Sequence, residues 1–290
     1  MSWRTVIITN SAKLDYQMGY MVVRRDTVTK IHISEIYTVL IESTAVSLTA
    51  ALLAELAEHK VKVIFCDSKR NPCSEVVPYY GAHDTSRKVR NQIAWNEDSK
   101  LAVWTEIVSE KIRNQMRVLE DYHKSEAELL VQYLKGLEFG DKTNREGHAA
   151  KVYFNALFGK DFSRSTDCVT NAALNYGYSI ILSSFTREIV LNGYITQIGL
   201  FHDNMFNPFN LASDLMEPFR TLVDRCVLKL KPEVFEPSEK IELVSIVNQN
   251  VIINGRSELV SNAIKIYTRS IFDAIEERDV SLIKFYSNEL

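Results

Sequence analysis

At 290 residues with 46% hydrophobic content, the chain is long enough to bury a sizeable core and to divide into two domains. A formal net charge of −3 excludes a protein that coats nucleic acid over its whole surface, so any such binding must rest on local basic patches. No apolar run reaches the length that spans a bilayer, the N-terminal MSWRTVIITNSAK has an apolar core too short for a signal peptide, and Cys66, Cys73, Cys168 and Cys226 lack CxxC pairing and zinc spacing, so we expect a cytoplasmic protein with reduced, mostly buried thiols.

The first 80 or so residues are strand-rich. Residues 5–9, 20–24, 29–33 and 37–41 carry β-branched and aromatic side chains between polar turns, which predicts short strands in an antiparallel sheet or sandwich. Residues 48–59 interrupt them with Ala and Leu at helical spacing, 61–65 return as a buried strand, 67–72 (DSKRNP) form a turn, and 76–80 form a last strand. Past Gly81, Thr85 or Ser86 can cap a helix that carries Arg87, Lys88 and Arg90 in its opening turns. Cations there oppose the helix dipole, so an acidic group must compensate. A phosphate backbone is one such group, and a solvated face paired with Asp84 and Glu97 is the other.

Strand signals then fade. Leu101, Trp104, Val108, Ile112, Met116, Leu119 and Tyr122 mark one long amphipathic helix, and 129–137 form another. Lys111, Arg113 and Arg117 lie among acids and read as a mixed polar face. Residues 143–159 open a helix whose Thr143 and Glu146 match a capping box, which would make Glu146 a cap; alternatively Gly147 and the paired alanines let a second backbone approach and place Glu146 in a crowded helical junction. The helix from Asn171 stops at Gly193, and its Asn171, Asn175, Tyr176 and Tyr178 give an otherwise apolar element many polar groups, as expected of a wall of a polar site.

The stretch HDNMFNPFNLASDLMEPFR, residues 202–220, gathers an imidazole and two carboxylates around a loop-to-helix junction. Ser213 can cap a helix running from Asp214 toward Leu230, with Asp214 and Glu217 on one face, away from the apolar stripe, and a kink at Pro218. The plain structural alternative makes these acids first-turn complements of the dipole. If Glu146, His202 and Glu217 converge, two carboxylates and one imidazole with open positions suit Mg²⁺ or Mn²⁺ better than a closed zinc site.

With EGHAAKVYF, NAALNYGY, GLFHDN and DLMEPFR in this order, nearly the whole chain resembles the CRISPR-associated adaptation integrase, the larger of the two Cas proteins shared by most systems, in its type II form. The resemblance implies an α+β protein: a small β-rich domain at 1–82 for dimerisation and DNA bracketing, then an all-helical catalytic domain at 83–290. It implies Glu146, His202 and Glu217 as metal ligands, Asp214 as a further acid of the site and Tyr176 as an aromatic beside it. Many relatives carry Asp where Glu217 stands, and a basic residue shortly after the histidine where this chain reads DNMFNPF. The implied reaction is attack by a donor 3′-hydroxyl on a phosphodiester at the repeat boundary, so spacer DNA enters a CRISPR array. Arg87, Lys88, Arg90 and Arg220 are the expected phosphate contacts, and the expected partners are double-stranded DNA, a second copy of the chain, the small second Cas adaptation protein and other type II adaptation proteins, with no membrane. A stand-alone metal-dependent nuclease and a non-catalytic DNA-binding scaffold are the alternatives.

Overall fold

Two sheets grow from the N-terminal strands in the computed structural model, which describes residues 3–78 and 82–288. The elements are β1 (Arg4–Ile8), β2 (Ala12–Gln17), β3 (Tyr20–Arg24), β4 (Val28–His32), β5 (Ile36–Ile41), β6 (Val46–Leu48), α1 (Ala50–Glu58), β7 (Lys62–Cys66) and β8 (Pro72–Val76). One sheet has the order β1-β5-β7-β8 and the other β4-β3-β2-β6. The antiparallel expectation holds for β2, β3 and β4 but fails for the first sheet, where β1, β5 and β7 run parallel and only β8 reverses. The reason is the returning connection: the β2 to β4 meander, and then β6 with α1, carry the chain back to the same end before each new strand. An inner strand flanked on both edges becomes a continuous apolar run, and β5 is buried at every position. Strands β2 and β6 escaped the sequence reading, as their short polar-spaced segments carry little periodicity. The strand expected at 76–80 is instead β8, four residues earlier, and residues 79–81 lie outside the described residues.

The helical part follows: α2 (Thr85–Ile93), α3 (Glu97–Asp121), α4 (Ala127–Lys135), α5 (Arg145–Phe158), α6 (Val169–Leu191), α7 (Asn210–Leu215), α8 (Arg220–Leu230) and α9 (Pro237–Ser245). It closes with β9 (Asn250–Ile253), β10 (Arg256–Leu259), α10 (Val260–Glu277) and β11 (Tyr286–Asn288), whose strands pair as β10-β9-β11. This small sheet has no counterpart in the sequence reading. The one helix expected from Asp214 is two: α7 starts at Asn210, a 3₁₀ turn at Glu217–Phe219 intervenes, and α8 restarts at Arg220. Ser213 caps nothing and takes a hydrogen bond from the Asn207 amide instead. Pro218 has no N–H for the Asp214 carbonyl, and its own carbonyl accepts from Asn114 Nδ2 (3.1 Å) and the Tyr286 hydroxyl (3.0 Å), so partners far along the chain hold the break.

Two apolar cores result. One lies between the N-terminal sheets and α1, around Leu14, Met21, Val39, Leu52 and Val63. The other fills the helical part around Trp104, Phe185, Phe219, Tyr267 and Tyr286, and draws in Leu40, Ile64 and Cys66 from the first sheet. The four cysteines are free, but only Cys66 is fully buried and Cys73 is exposed, so the expectation of mostly buried thiols is corrected.

Candidate metal and phosphate site

Lys111 sits at the centre of the site. It lies seven residues after Trp104 and three after Val108, so helical spacing puts it on the buried stripe of α3 rather than on the polar face. Its side chain is 8% exposed, and its Nζ meets Glu146 Oε1 and, at 2.5 Å, Glu217 Oε2. Burial pulls the ammonium's pKa down, yet the Glu217 and Glu146 carboxylates outweigh that and hold it above the ordinary lysine value. This residue, assigned to a mixed surface by the sequence, is what brings the two acids together.

Glu146 is free to do so because others cap its helix. The Asp141 carboxylate accepts the Arg145 and Glu146 N–H groups (2.7 and 3.0 Å), and Asn144, at φ 52°, accepts from Gly147 N (3.2 Å). Thr143 Oγ1 has no partner, so the capping-box alternative for Glu146 is set aside. Gly147 matters locally, since a Cβ there would meet Asn144 Oδ1 at 2.7 Å. Glu217, expected to face away from the apolar stripe toward a cleft or water, is buried, as are Thr221 and Asp224 one and two turns on. Its Oε1 accepts from Arg220 Nε (2.9 Å), and burial's upward pull on its pKa is overcome by Arg220 and Lys111, which keep it ionised. Its Oε2 is buried and makes no well-aligned hydrogen bond.

His202 is oriented by Asp214, with Nδ1 2.5 Å from Oδ1. Asp214 also accepts the backbone N–H groups of Leu200 (2.6 Å), Phe201 (3.1 Å) and His202 (3.2 Å) and has no exposed surface. It is therefore a support behind the histidine, not an acid lining the cavity. The same bond raises the His202 pKa, burial opposes it, and Asp214, Glu217 and Glu146 add to the rise through space. Gly199 makes room for this cluster, because any Cβ there would overlap the His202 carbonyl and Asp214 Oδ2.

Tyr176 is corrected. Positions 176 and 178 lie about 200° apart around a helix, so they face different sides of α6. Tyr176 packs against Phe235 and Lys240 near the N-terminal sheet (5.6 and 5.3 Å to the ring centres). Tyr178 is the aromatic at the site: its hydroxyl donates to Asp224 Oδ1 (2.5 Å), Tyr153 donates to Oδ2 (2.9 Å), and the Arg220 guanidinium lies 4.8 Å over its ring. A cavity of about 230 Å³ opens here, lined by Lys111, Glu146, Arg164, Tyr178, Glu217 and Arg220 among others.

Of the expected phosphate contacts, Arg220 is in this cavity. Arg87 is paired with Asp84 (2.5 Å) and Lys88 with Glu276 (2.7 Å), which supplies the acidic compensation at the start of α2, while Glu97 pairs with Lys100. Arg90 is exposed and has no side-chain partner among the described residues. Among the described residues no three His, Cys, Asp or Glu side chains stand close enough together to hold a metal as they are; Glu146 and Glu217 are bridged by an ammonium, with His202 near enough to feel both charges.

Residues 5–239 match the family described as CRISPR associated protein Cas1. A CRISPR-associated endonuclease Cas1 from Neisseria meningitidis serogroup C (strain 8013) is 35% identical over 232 residues, covering 79% of this chain and 76% of the relative. Among solved structures, a casposase bound to integration product aligns with a TM-score of 0.78 at 18% identity, over 97% of this chain and 93% of that one. A Cas6-RT-Cas1–Cas2 complex aligns with a TM-score of 0.74 at 19% identity, over 97% of this chain and 36% of that longer one. At these identities the structural likeness establishes the fold.

Proposed function

The chain belongs to the Cas1 family, and from that premise we propose that it is a divalent-metal-dependent DNA integrase and endonuclease that joins a donor 3′-hydroxyl to a phosphodiester at a repeat boundary. The observation that carries this reading is the convergence of two carboxylates, Glu146 and Glu217, on a single cation position beside a histidine. Glu217 Oε2 is buried and faces the Lys111 ammonium at 2.5 Å, so an ammonium stands where a metal would. Two carboxylates and an imidazole suit Mg²⁺ or Mn²⁺, and Glu146, Glu217 and His202 would hold it. When bound, the ion withdraws charge from the phosphate oxygens and stabilises the departing 3′ oxygen.

The chain's own residues do the rest. Asp214, hydrogen-bonded to Nδ1, fixes the ring's orientation and tautomer and leaves Nε2 as the nitrogen with a free lone pair. Arg220, braced by Glu217 Oε1 and the face of Tyr178, presents a planar cation to a phosphate in the same cavity. Backbone contacts away from the site fall first to Arg90, with Arg87 and Lys88 available if phosphates displace Asp84 and Glu276. The β-rich domain at 1–82 would serve dimerisation and DNA bracketing and 83–290 catalysis; the small second adaptation protein would be the partner, which the Cas1–Cas2 assembly of a structural neighbour supports.

A strand-transfer assay with the small partner, a free-ended duplex and a repeat-bearing plasmid tests this. Blocking the donor 3′ end should abolish joined product; joined product that persists would overturn the donor 3′-hydroxyl as nucleophile, and cleavage as the only activity with an unblocked donor would assign water as the nucleophile and a stand-alone nuclease. Glu146→Ala and His202→Ala should each lower transfer by at least about a hundredfold, since even groups behind a metal ligand are worth ten to a hundredfold. DNA binding should stay within about threefold of wild type, because metal ligands are not the phosphate contacts that set affinity. Loss of binding together with transfer would instead make these residues architectural.

A further inference from the structure

We propose that Lys111 is the resident counter-cation of the divalent-metal position, and that metal and DNA phosphate bind cooperatively because the metal displaces the Lys111 ammonium and the phosphate receives it. The inference rests on the proposed function and deepens it.

Two carboxylates that face one another in a buried pocket must either share a proton or hold a cation between them. Here that cation is Lys111 Nζ, 2.5 Å from Glu217 Oε2 and in contact with Glu146 Oε1, with the lysine side chain 8% and the Glu217 side chain 5% exposed. An Mg²⁺ or Mn²⁺ ion needs carboxylate oxygens at about 2.0 to 2.2 Å, so it occupies the volume the ammonium fills and the two exclude each other. Charge gives the second half. Lys111 and Arg220 already balance Glu146 and Glu217, so a divalent ion raises the local charge by two, and an incoming phosphodiester lowers it by one. Each ligand therefore improves the site for the other, and the coupling is reciprocal.

The displaced ammonium has a place to go. Gln115 lies one helical turn beyond Lys111 on α3, on the wall of the same cavity, and its Oε1 is buried with no hydrogen-bond partner. A lysine stem with four rotatable bonds can swing Nζ from the carboxylates to Gln115 Oε1 and remain facing the cavity, where a phosphate oxygen completes its coordination. An acceptor without a protein partner four residues from a buried ammonium is the second position that such a lysine requires.

The experiment measures Mn²⁺ binding to the full chain by calorimetry and by the loss of free Mn²⁺ in electron paramagnetic resonance, with and without a duplex ending in 3′-dideoxynucleotides, so that no chemistry follows. In wild type the duplex should tighten Mn²⁺ binding by about tenfold, within the usual range of coupling between sites. Lys111→Gln and Lys111→Met should bind Mn²⁺ about tenfold tighter without DNA and show no further gain with it. Gln115→Leu keeps the lysine but removes its second acceptor; it should weaken Mn²⁺ binding and serves should the Lys111 variants fail to fold, as thermal melting would show. Equal Mn²⁺ affinities in wild type and a folded Lys111→Gln, no effect of the duplex in wild type, or no effect of Gln115→Leu would each overturn the inference alone. Absence of Mn²⁺ binding to wild type, with or without DNA, would remove the proposed function and this inference with it.

Discussion

Asp224 carries a pH signature distinct from the proposed metal ligands. Burial pushes its carboxyl up to about 6, against the lowering effect of hydrogen bonds from Tyr178 and Tyr153 and of the Arg220 and Arg164 charges. A carboxyl whose folded pKa is raised favours its protonated form, so its stabilising contribution is complete below about pH 4, where the unfolded group is also protonated, and declines as pH rises through about 6. Asp224→Asn keeps the shape and an oxygen acceptor while removing the titration. We expect urea melts of wild type to lose on the order of 2 kcal/mol from this group between about pH 4 and pH 7, and the variant to lose less over the same range. Parallel curves for the two proteins would show that the tyrosine hydroxyls hold Asp224 ionised throughout. Residue chemistry also decides what of the site could be read beforehand. Glu146, His202 and Glu217 stand out by type and motif, whereas Lys111 looks like one more surface cation until its spacing from Trp104 and Val108 is followed onto the buried face. The roles of Asp214 and Tyr178 depend on which way a side chain turns within its own element, and motif order does not carry that.

Between elements, α6 comes close to α8 at Gly177. A Cβ there would overlap Val223 Cγ1 and come within 3.3 Å of Leu243 Cδ2 of α9, and Val223 is β-branched, with little rotamer freedom to retreat. Gly177→Ala should therefore destabilise the protein by about 1 to 3 kcal/mol as an overpacked contact, despite alanine's better helix propensity. Chemical denaturation measures this, and combining it with Val223→Ala should recover part of the loss, because the shortened side chain vacates the space. A neutral or stabilising Gly177→Ala would mean the helices separate at little cost. Long elements with strong periodicity, α3 and α6, are legible from spacing with their ends within a few residues. The α7–α8 break is not, since the apolar repeat runs straight through Pro218 and the groups that hold the break open, Asn114 and Tyr286, lie on α3 and β11. Parallel pairing of β1, β5 and β7 is hidden for a similar reason: side-chain alternation reports which face a residue takes and says nothing of strand direction.

At the scale of the molecule, the two cores are joined by a seam in which buried polar groups mix with apolar ones. Lys62 pairs with Glu75 at 2.5 Å, and Glu75 accepts a hydrogen bond from Ser183 of α6 (2.8 Å). On the other side, Lys240 of α9 donates to the Lys69 and Arg70 carbonyls (3.2 and 3.0 Å) in the turn between β7 and β8, with its Nζ over the rings of Tyr176 and Phe235. Tyr176, expected at the catalytic site, thus belongs to this junction. Lys240→Met keeps the stem and its packing but leaves two carbonyls without their charged donor, a loss of about 2 kcal/mol. Because those bonds cross between the parts instead of lying within either, the loss should fall on their coupling. Wild type is expected to melt in a single calorimetric transition, and Lys240→Met in a broadened or split one, with amide exchange accelerating in β7 and β8 while the centre of α6 keeps its protection. A single transition shifted uniformly to lower temperature would mean that Leu40, Ile64 and Cys66, packed into the helical core, suffice to bind the two parts into one cooperative unit, and that Lys240 adds stability without governing how they separate.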